Sequence, residues 1–207
     1  MEQVLTGRVS AHHRFLLARQ LAHIEDLDEL IRQVSEESAA RLRPFDATLD
    51  RLDTVPGVGR RTAEVLGAET GPDLARFPSA RHRASWAGMW PGNHESAGKR
   101  ASGRIRKGNA ALRTALVEAG RAAGRTKQTY LGALYRRLAA RRGAKRAAVA
   151  VGHAILGIVY HLLSHQESYR DLGAQYFDQR DRAVVQRRLV RRLQDLGFRV
   201  ALEPAVA

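Results

Sequence analysis

The sequence predicts an all-α protein in which a long, coiled-coil-like N-terminal helical arm precedes a compact helical domain containing a helix-hairpin-helix motif. No Gly or Pro interrupts residues 12–43, where apolar residues recur at three- and four-residue steps. Two glycines spaced two apart separate short helical segments within residues 52–67. An apolar, alanine-rich stretch at 145–164 has the length of a central core helix. Three parts are expected: an arm at 1–50, a compact domain at 51–166 and a basic helical tail at 167–207.

The apolar residues of the arm form one narrow seam on a helix of roughly 45 Å. Charged residues, mostly acidic, lie between the seam positions. Such a seam indicates a coiled coil, either within the chain or between two copies. An ordinary helix packed on the main domain fits the pattern equally well. The seam consists of Leu17, Leu21, Ile24, Leu27, Ile31 and Val34.

The helix-hairpin-helix motif is predicted from a short helix at Phe45–Leu52, the turn Val55-Pro56-Gly57-Val58-Gly59 and a helix from Arg60 to Leu66. Glycines let the backbone approach a phosphate closely, and the amides at the following helix N-terminus point at the anion. Arg60 and Arg61 can add charge-assisted contacts. The motif therefore predicts sequence-independent binding of a DNA or RNA backbone through Gly57, Gly59, Arg60 and Arg61. A purely structural hairpin is the alternative.

The rest of the chain is predicted to be helical except for one polar loop and a short terminal strand. Ser79 is expected to cap a helix that runs to about Trp86. The remaining elements are helices at 110–127, 129–142, 145–164 and Val184–Leu196, followed by a strand at Phe198–Leu202.

Trp86 and Trp90 flank Gly88, and we expect both to lie in the core rather than to stack on bases, because large aromatic side chains dominate burial energetics. His153, His161 and His165 can share a face of the core helix. Neither an HExxH motif nor a nearby pair of carboxylates accompanies them, so structural histidines are favoured over a metal site. No metal ligands are predicted in this chain.

The net charge of +14 is distributed unevenly along the chain. Residues 1–50 contain six basic and nine acidic side chains, whereas residues 93–146 contain fifteen basic and only two acidic ones. A solvated helical surface normally mixes its charges. The one-sided stretch therefore indicates a polyanionic partner, DNA or RNA, that is bound in a salt-sensitive way.

Several classes of protein are disfavoured by composition. The absence of cysteine excludes disulfides, thiolate chemistry and cysteine-ligated zinc. No apolar run is expected to reach the roughly 20 residues that span a bilayer, and the N-terminus lacks the layout of a signal peptide. We therefore expect a cytoplasmic protein without a membrane partner.

The segment most suggestive of chemistry is the polar, basic stretch between Pro91 and Asn109, which is predicted to be a loop. A loop of about 18 residues inside a compact domain is unusual unless it is functional. Three of its four glycines, Gly98, Gly103 and Gly108, fall five residues apart, but no P-loop motif is present. The pattern predicts a backbone that folds around a phosphate.

Ser96 lies in this loop and is a candidate nucleophile. A serine hydroxyl needs a base to take its proton and positive charge to stabilise the transition state. His94 and Glu95 are adjacent candidates for the base. From the residues alone, a plain turn serine remains the simpler interpretation. The positive charge would come from Lys99, Arg100, Arg104, Arg106, Lys107 and Arg113.

Several motifs in order resemble the C-terminal transposase domain of the insertion-sequence 110/116/902 transposases. They are Leu52 to Gly59 (LDTVPGVG), Arg76 to Ala80 (RFPSA), Ala84 to Gly88 (ASWAG), Pro91 to Lys99 and Gly103 to Arg113 (GRIRKGNAALR). The tail Tyr169 to Phe177 and the acidic arm also resemble this family, so the likeness covers most of the chain.

The resemblance implies a site-specific DNA recombinase that pairs this helical domain with an N-terminal RuvC-like domain carrying four metal-binding acids. The family's serine nucleophile lies in a Ser-Gly/Ala-Gly-Lys motif, which matches Ser96 to Lys99. It would form a transient phosphoserine link to DNA, so that strands are exchanged without ATP. Dimers or tetramers form through the arm, here residues 12–43, and some members are guided by a structured RNA.

The RuvC-like domain has no counterpart in this sequence, so magnesium is expected only with that domain and no cofactor in this chain. We therefore expect the chain alone to bind nucleic acid without cutting it. Two rival functions remain: a non-catalytic module that clamps DNA or guide RNA, and a structural dimerisation protein whose charge is incidental.

Overall fold

The computed structural model describes residues 9–71, 76–90, 94–102, 105 and 107–203, and the all-α prediction is confirmed. The chain divides into two compact units, Met1–Asp46 and Ala47–Ala207. The helices are α1 (Ala11–Leu42), α2 (Asp46–Asp53), α3 (Arg60–Thr70), α4 (Ala80–Trp86), α5 (Ala110–Arg125), α6 (Tyr130–Arg142), α7 (Ala144–His165), α8 (Tyr176–Arg180) and α9 (Arg182–Asp195); a 3-10 turn spans Arg43–Phe45, and β1 (His94–Ser96) pairs with β2 (Lys99–Ser102).

The first unit consists mainly of α1, whose 32 residues closely match the helix predicted at 12–43. The helix begins at a capping box in which Ser10 and His13 satisfy each other's backbone amides. Arg32 donates to Glu29 and Glu36 on the polar side of the helix. No residue of α1 is buried, so its apolar seam is solvent-exposed within the described residues.

The second unit is organised around α7, which packs against α4, α5 and α6. One face of α7 is apolar and buried over its whole length, as the alanine-rich stretch predicts. Leu112 and Leu116 of α5, with Leu131 of α6, are fully buried in the same core. The buried residues of α7 are Ala147, Ala148, Val151, Gly152, Ile155, Leu156, Val159 and Leu162.

The expectation that no apolar segment reaches membrane-spanning length is wrong for α7. At 22 residues this helix is long and apolar enough to cross a bilayer by length and composition. The core helix of a soluble protein passes the same test, and the apolar face of α7 packs against three other helices of its own unit.

The segment after α7 returns along the second unit. The backbone amide of Tyr169 donates to Thr54 Oγ1 (3.0 Å), and the amide of Tyr130 donates to Asp171 Oδ1 (3.0 Å). Tyr130 also packs on Phe177, with ring centroids 5.2 Å apart. These contacts attach residues 169–177 to the turn after α2 and to the start of α6. The strand predicted at Phe198–Leu202 is absent from the described residues that end at 203.

Arg83 of α4 is a cation in the core, with no exposed surface. Its Nη2 donates to Thr70 Oγ1 at the end of α3 (2.7 Å), whereas Nε and Nη1 have no partner among the described residues. Burial lowers the pKa of Arg83 to about 10, because water no longer solvates the guanidinium. The bond to Thr70 links α4 to the C-terminal end of α3.

Candidate nucleic-acid interface

The segment predicted as a loop contains a tight β-hairpin at its centre. Strand β1 pairs antiparallel with β2, with Ser96 directly opposite Lys99. The two residues between them, Ala97 and Gly98, both have positive φ angles, 50° and 73°. A two-residue hairpin with positive φ at both positions is a type I′ turn. Alanine rarely adopts this conformation, which the type I′ turn requires, and strained residues of this kind cluster at functional sites.

The turn puts the Ser96 and Lys99 side chains on one face of the hairpin, because directly opposed residues in an antiparallel pair point to the same side. Their Cβ atoms are then about 5 Å apart, well within the reach of a lysine ammonium. Both residues are solvent-exposed. Within the described residues, Ser96 Oγ makes no hydrogen bond. The hydroxyl is therefore exposed, and the Lys99 side chain is long enough to reach it.

The chain continues from the hairpin to α5 through Lys107, Gly108 and Asn109, and the last two contact other segments of the second unit. A Cβ on Gly108 would lie 2.4 Å from the backbone N of Gly88, so the two segments are in tight contact. Asn109 caps α5 by accepting from the Leu112 amide (2.9 Å), and it also donates to Glu69 of α3. This anchored return leaves Lys107 exposed.

The remaining predicted cations of the segment are only partly described. Arg113, in the first turn of α5, is half-buried. Arg104 and Arg106 lie outside the described residues, as does the side chain of Arg100. Lys99, Lys107 and Arg113 are therefore the predicted cations whose surroundings the structure describes.

The predicted helix-hairpin-helix segment folds as α2, a turn and α3, with different surroundings for its two glycines. Gly57, at φ +90°, packs against α5; a Cβ there would lie 2.3 Å from the Ala119 carbonyl oxygen. Helix packing alone therefore requires a glycine at 57. Gly59 precedes the first residue of α3, and no other atom lies within 4 Å of its potential Cβ. The position of Gly59 is therefore uncrowded, and no side-chain hydrogen bond from the N-cap residue caps the N-terminus of α3.

The two arginines of this motif already contact acidic residues. Arg60 is paired with Asp50 (3.3 Å) and Glu64 (3.5 Å), and Arg61 with Glu64 (3.1 Å). Both arginines are exposed, and ion pairs at the surface contribute at most about 1 kcal/mol. A phosphate at this turn would have to compete with these carboxylates, although the competition is weak.

A cationic cavity that the sequence analysis did not identify lies where α5, α6 and the start of α7 meet. It has a volume of about 280 Å³. Arg121 and Arg125 are four residues apart on one face of α5, and Lys145 belongs to the first turn of α7. The cavity is lined by Arg121, Gly124, Arg125, Tyr135, Ala144 and Lys145. The four-residue arginine spacing is the only local signal for it, since Lys145 joins them through folding.

The prediction that both tryptophans are core residues is wrong. Trp86 is 43% exposed and Trp90 is 39% exposed. Trp86 packs against Phe77 with ring centroids 5.4 Å apart, and Trp90 meets the His153 ring edge-on at 5.3 Å. The apolar residues that fill the core here are Ala87 and Met89, which lie between the two tryptophans.

The three histidines of α7 have separate surroundings. His153 is half-buried beside Trp90, whereas His161 and His165 are exposed and stack on each other. Over the part of the chain that the structure describes, no group of three or more His, Cys, Asp or Glu side chains could hold a metal ion. Burial lowers the pKa of His153 below its usual 6.5, because desolvation penalises the imidazolium.

This shift predicts a pH response that Trp90 can report. In a Trp86→Phe variant, the remaining Trp90 emission is expected to fall on acidification, with a midpoint below pH 6.5, as the protonated imidazole quenches the indole. His153 binds more protons in the unfolded chain than in the folded one in this range. Its contribution to the free energy of unfolding should therefore fall as the pH drops below about 6.5. Adding His153→Gln should make the emission independent of pH, and a midpoint above 6.5 would contradict the assignment.

Comparison with known proteins places the hairpin and its surroundings within a described family. Residues 49–136 match the transposase IS116/IS110/IS902 family. The matched region runs from α2 into α6, and so includes the glycine turn, the hairpin and all of α5.

Two curated transposases are similar over more of the chain. One is the transposase for insertion sequence element IS1111A of Coxiella burnetii, which is 34% identical over 151 residues; the alignment covers 69% of this chain and 40% of that protein. The other is a probable family 20 transposase of Pseudomonas aeruginosa, 33% identical over 159 residues, or 74% of this chain and 46% of that protein. The chain spans less than half the length of these relatives.

Proposed function

Because the chain belongs to the transposase IS116/IS110/IS902 family, we propose that it is the DNA-handling domain of a transposase and that Ser96 is the nucleophile for strand cleavage and exchange. One observation carries the proposal. The type I′ turn at Ala97–Gly98 holds an exposed serine directly opposite an exposed lysine. The turn places alanine where asparagine or aspartate is usual, so this tight hairpin is kept at a cost in backbone strain.

The chemistry is an in-line attack on a DNA phosphodiester. Ser96 Oγ forms a bond to phosphorus as the bond from phosphorus to one deoxyribose oxygen breaks. The proton of the hydroxyl passes to a base, and the departing oxygen takes up a proton. One phosphoester replaces another, so the energy of the bond is retained for rejoining. The Lys99 ammonium stabilises the negative charge that develops on the phosphoryl oxygens.

Other cations of the second unit hold the flanking backbone. Lys107 lies in the anchored return of the hairpin, and Arg113 follows it in the first turn of α5. Farther along the same helix, Arg121 and Arg125 line the cationic cavity with Lys145. In this proposal the phosphate backbone of the DNA runs along α5. The N-terminus of α3 at Gly59 makes an additional contact with it.

Magnesium, which the family resemblance implies, is assigned in this proposal to the RuvC-like domain. The described residues offer no group suited to hold it, so no step here is derived through a metal. The same domain would complete the site for cleavage, and this chain alone is expected to bind DNA without cutting it.

The arm is proposed to pair with a second copy of the chain, giving a dimer or a tetramer. Leu17, Ile24 and Ile31 recur every seven residues and are each at least half exposed. A seven-residue repeat of exposed apolar side chains on a long helix is the pattern of a coiled-coil seam. A structured guide RNA is a second polyanion that the cationic surface of the other unit would accept.

A non-catalytic module that clamps DNA or RNA is the alternative function. The cationic cavity favours it, because phosphate binding there needs no nucleophile. Formation of a protein–DNA adduct that survives denaturing detergent separates the two functions. With the family's RuvC-like domain supplied, we expect such an adduct; a domain that binds DNA tightly and never forms one would support the clamp.

The phosphate contacts predict a strong response to charge removal and salt. Replacing Lys99 and Lys107 together with glutamine is expected to weaken DNA binding about ten-fold, whatever the DNA sequence. Each lost phosphate contact releases about one fewer counterion, so the slope of log affinity against log salt should flatten by about two. Fluorescence anisotropy of a labelled duplex at several salt concentrations measures both quantities.

The matched control is Arg41→Gln, which removes a cation that is already paired with Glu37 in the arm. Its affinity and salt slope should stay near those of the unmodified chain. An equal loss from the control would mean that total charge, rather than the hairpin surface, determines binding.

A further inference from the structure

The two exposed tryptophans lie beside one face of the core helix, close to the hairpin in sequence. Trp90 contacts His153 of α7, and Trp86 contacts Phe77, whose carbonyl oxygen accepts from Tyr160 Oη of α7 (3.1 Å). His153 and Tyr160 are seven residues apart, which is about two helical turns on the same face, or roughly 10 Å. The two indoles therefore lie about two turns apart along α7. His153 contacts Trp90 directly, and Tyr160 holds Phe77, which contacts Trp86.

Each indole is packed on one side and exposed on another. Phe77 supports Trp86 with the ring planes at 56°, and His153 supports Trp90 edge-on. About 40% of each tryptophan is exposed to solvent, although the intervening Ala87 is fully buried. The core has thus been filled without these two rings, and both present free aromatic surface in fixed orientations.

Positive charge lies next to the same segment. Gly108 packs on Gly88, midway between the tryptophans in sequence, and the residue before it is the exposed Lys107. Ser96 follows Trp90 by six residues. Aromatic rings beside a cationic path are the arrangement by which proteins bind single-stranded nucleic acids, with bases stacked on the rings and phosphates on the cations.

We propose that Trp86 and Trp90 stack on unpaired nucleobases, so that this surface binds single-stranded nucleic acid next to the hairpin in preference to an intact duplex. The inference rests on the proposed function, since a strand must reach the hairpin for its bases to meet the rings. It adds a preference for unpaired bases, which phosphate contacts alone do not provide. DNA and RNA share the base surfaces concerned, and either strand would be accepted.

The experiment uses the two tryptophans, the only ones in the chain, as reporters. Trp86→Phe leaves Trp90 as the sole indole, and Trp90→Phe leaves Trp86; both substitutions keep an aromatic ring and disturb folding little. Each variant is titrated with a twelve-residue oligothymidylate, its oligouridylate counterpart, a duplex of equal length and heparin, which has charge but no bases. Anisotropy of labelled oligonucleotides measures binding separately from indole emission.

We expect both single strands to quench the indole emission of each variant, the duplex to quench it weakly and heparin not to quench it. Quenching by only one of the two strands would identify the sugar that the surface prefers and would still support stacking. Trp86→Leu and Trp90→Leu should each weaken single-strand binding about ten-fold or more. Phe198→Leu, which alters an exposed aromatic in the tail, should leave binding unchanged.

Three results would overturn the inference in distinguishable ways. If single strands raise the anisotropy and the indole emission stays constant, stacking is wrong and phosphate binding survives. If no oligonucleotide binds, the proposed function fails as well. Emission that changes with protein concentration and not with oligonucleotide would indicate that the tryptophans form a protein interface, which also contradicts stacking.

Discussion

Replacing Ser96 with alanine is expected to reduce covalent attachment to DNA by at least about three orders of magnitude when the RuvC-like domain is supplied. The substitution removes the one atom that would bond to phosphorus, and loss of a catalytic nucleophile typically costs this much or more. Ser96 is exposed and its hydroxyl has no hydrogen-bond partner among the described residues. The free energy of unfolding should therefore be nearly unchanged. The DNA affinity should stay within about two-fold of that of the unmodified protein.

Ser102 provides the matched control, since it lies on the second strand of the same hairpin. Ser102→Ala should keep both attachment and affinity. Single-turnover assays that count detergent-resistant adducts measure the first quantity, and anisotropy measures the second. Undiminished attachment by Ser96→Ala would assign the nucleophile to another residue, and parallel loss of affinity would make Ser96 a binding residue instead.

Replacing Gly57 with alanine is expected to lower the free energy of unfolding by about 3 kcal/mol. The backbone at this position has φ +90°, which costs an alanine about 1–2 kcal/mol. The added methyl would also lie 2.3 Å from the Ala119 carbonyl oxygen and 2.6 Å from the Ala123 nitrogen. Both are backbone atoms of α5, so the helix itself would have to move, at a further cost of about 1–3 kcal/mol.

Gly59→Ala, two residues away, is the control in the same turn. Its backbone is extended, with φ −91°, and nothing lies within 4 Å of the new Cβ, so the loss should be below about 1 kcal/mol. Urea unfolding followed by circular dichroism compares the two. Equal losses would contradict the tight contact between this turn and α5, the helix that carries Arg113, Arg121 and Arg125.

Local signals predicted the helices well. Ser79 does cap a helix, and its hydroxyl accepts from the His82 amide as expected for that position. The long helix was predicted from its apolar steps and its lack of Gly and Pro, which are properties of the segment itself. The helix predicted to stop at Leu66 runs on to Thr70, so Gly67 lies inside it, where a Cβ would be 3.3 Å from Leu49 of α2.

Features that depend on contacts between distant segments were missed. The tryptophans were assigned to the core by residue type, but burial depends on what packs around them, and Ala87 and Met89 occupy that space.

The hairpin was expected to be a loop because Ala97-Gly98 is not a typical signal for a type I′ turn, which usually contains asparagine or aspartate before glycine. The cationic cavity needs Lys145 beside Arg121, an arrangement that only folding creates. Ser96 itself was selected from a family motif, and the residues alone did not favour it.

Identification of the residue that becomes bonded to DNA tests the central claim most directly. This chain, combined with the RuvC-like domain of its family, is incubated with substrate DNA, the adduct is digested with protease and nuclease, and the modified peptide is sequenced by mass spectrometry. We predict a nucleotide remnant on Ser96, on the peptide that also contains Ala97 and Gly98. A remnant on any other side chain would contradict the account.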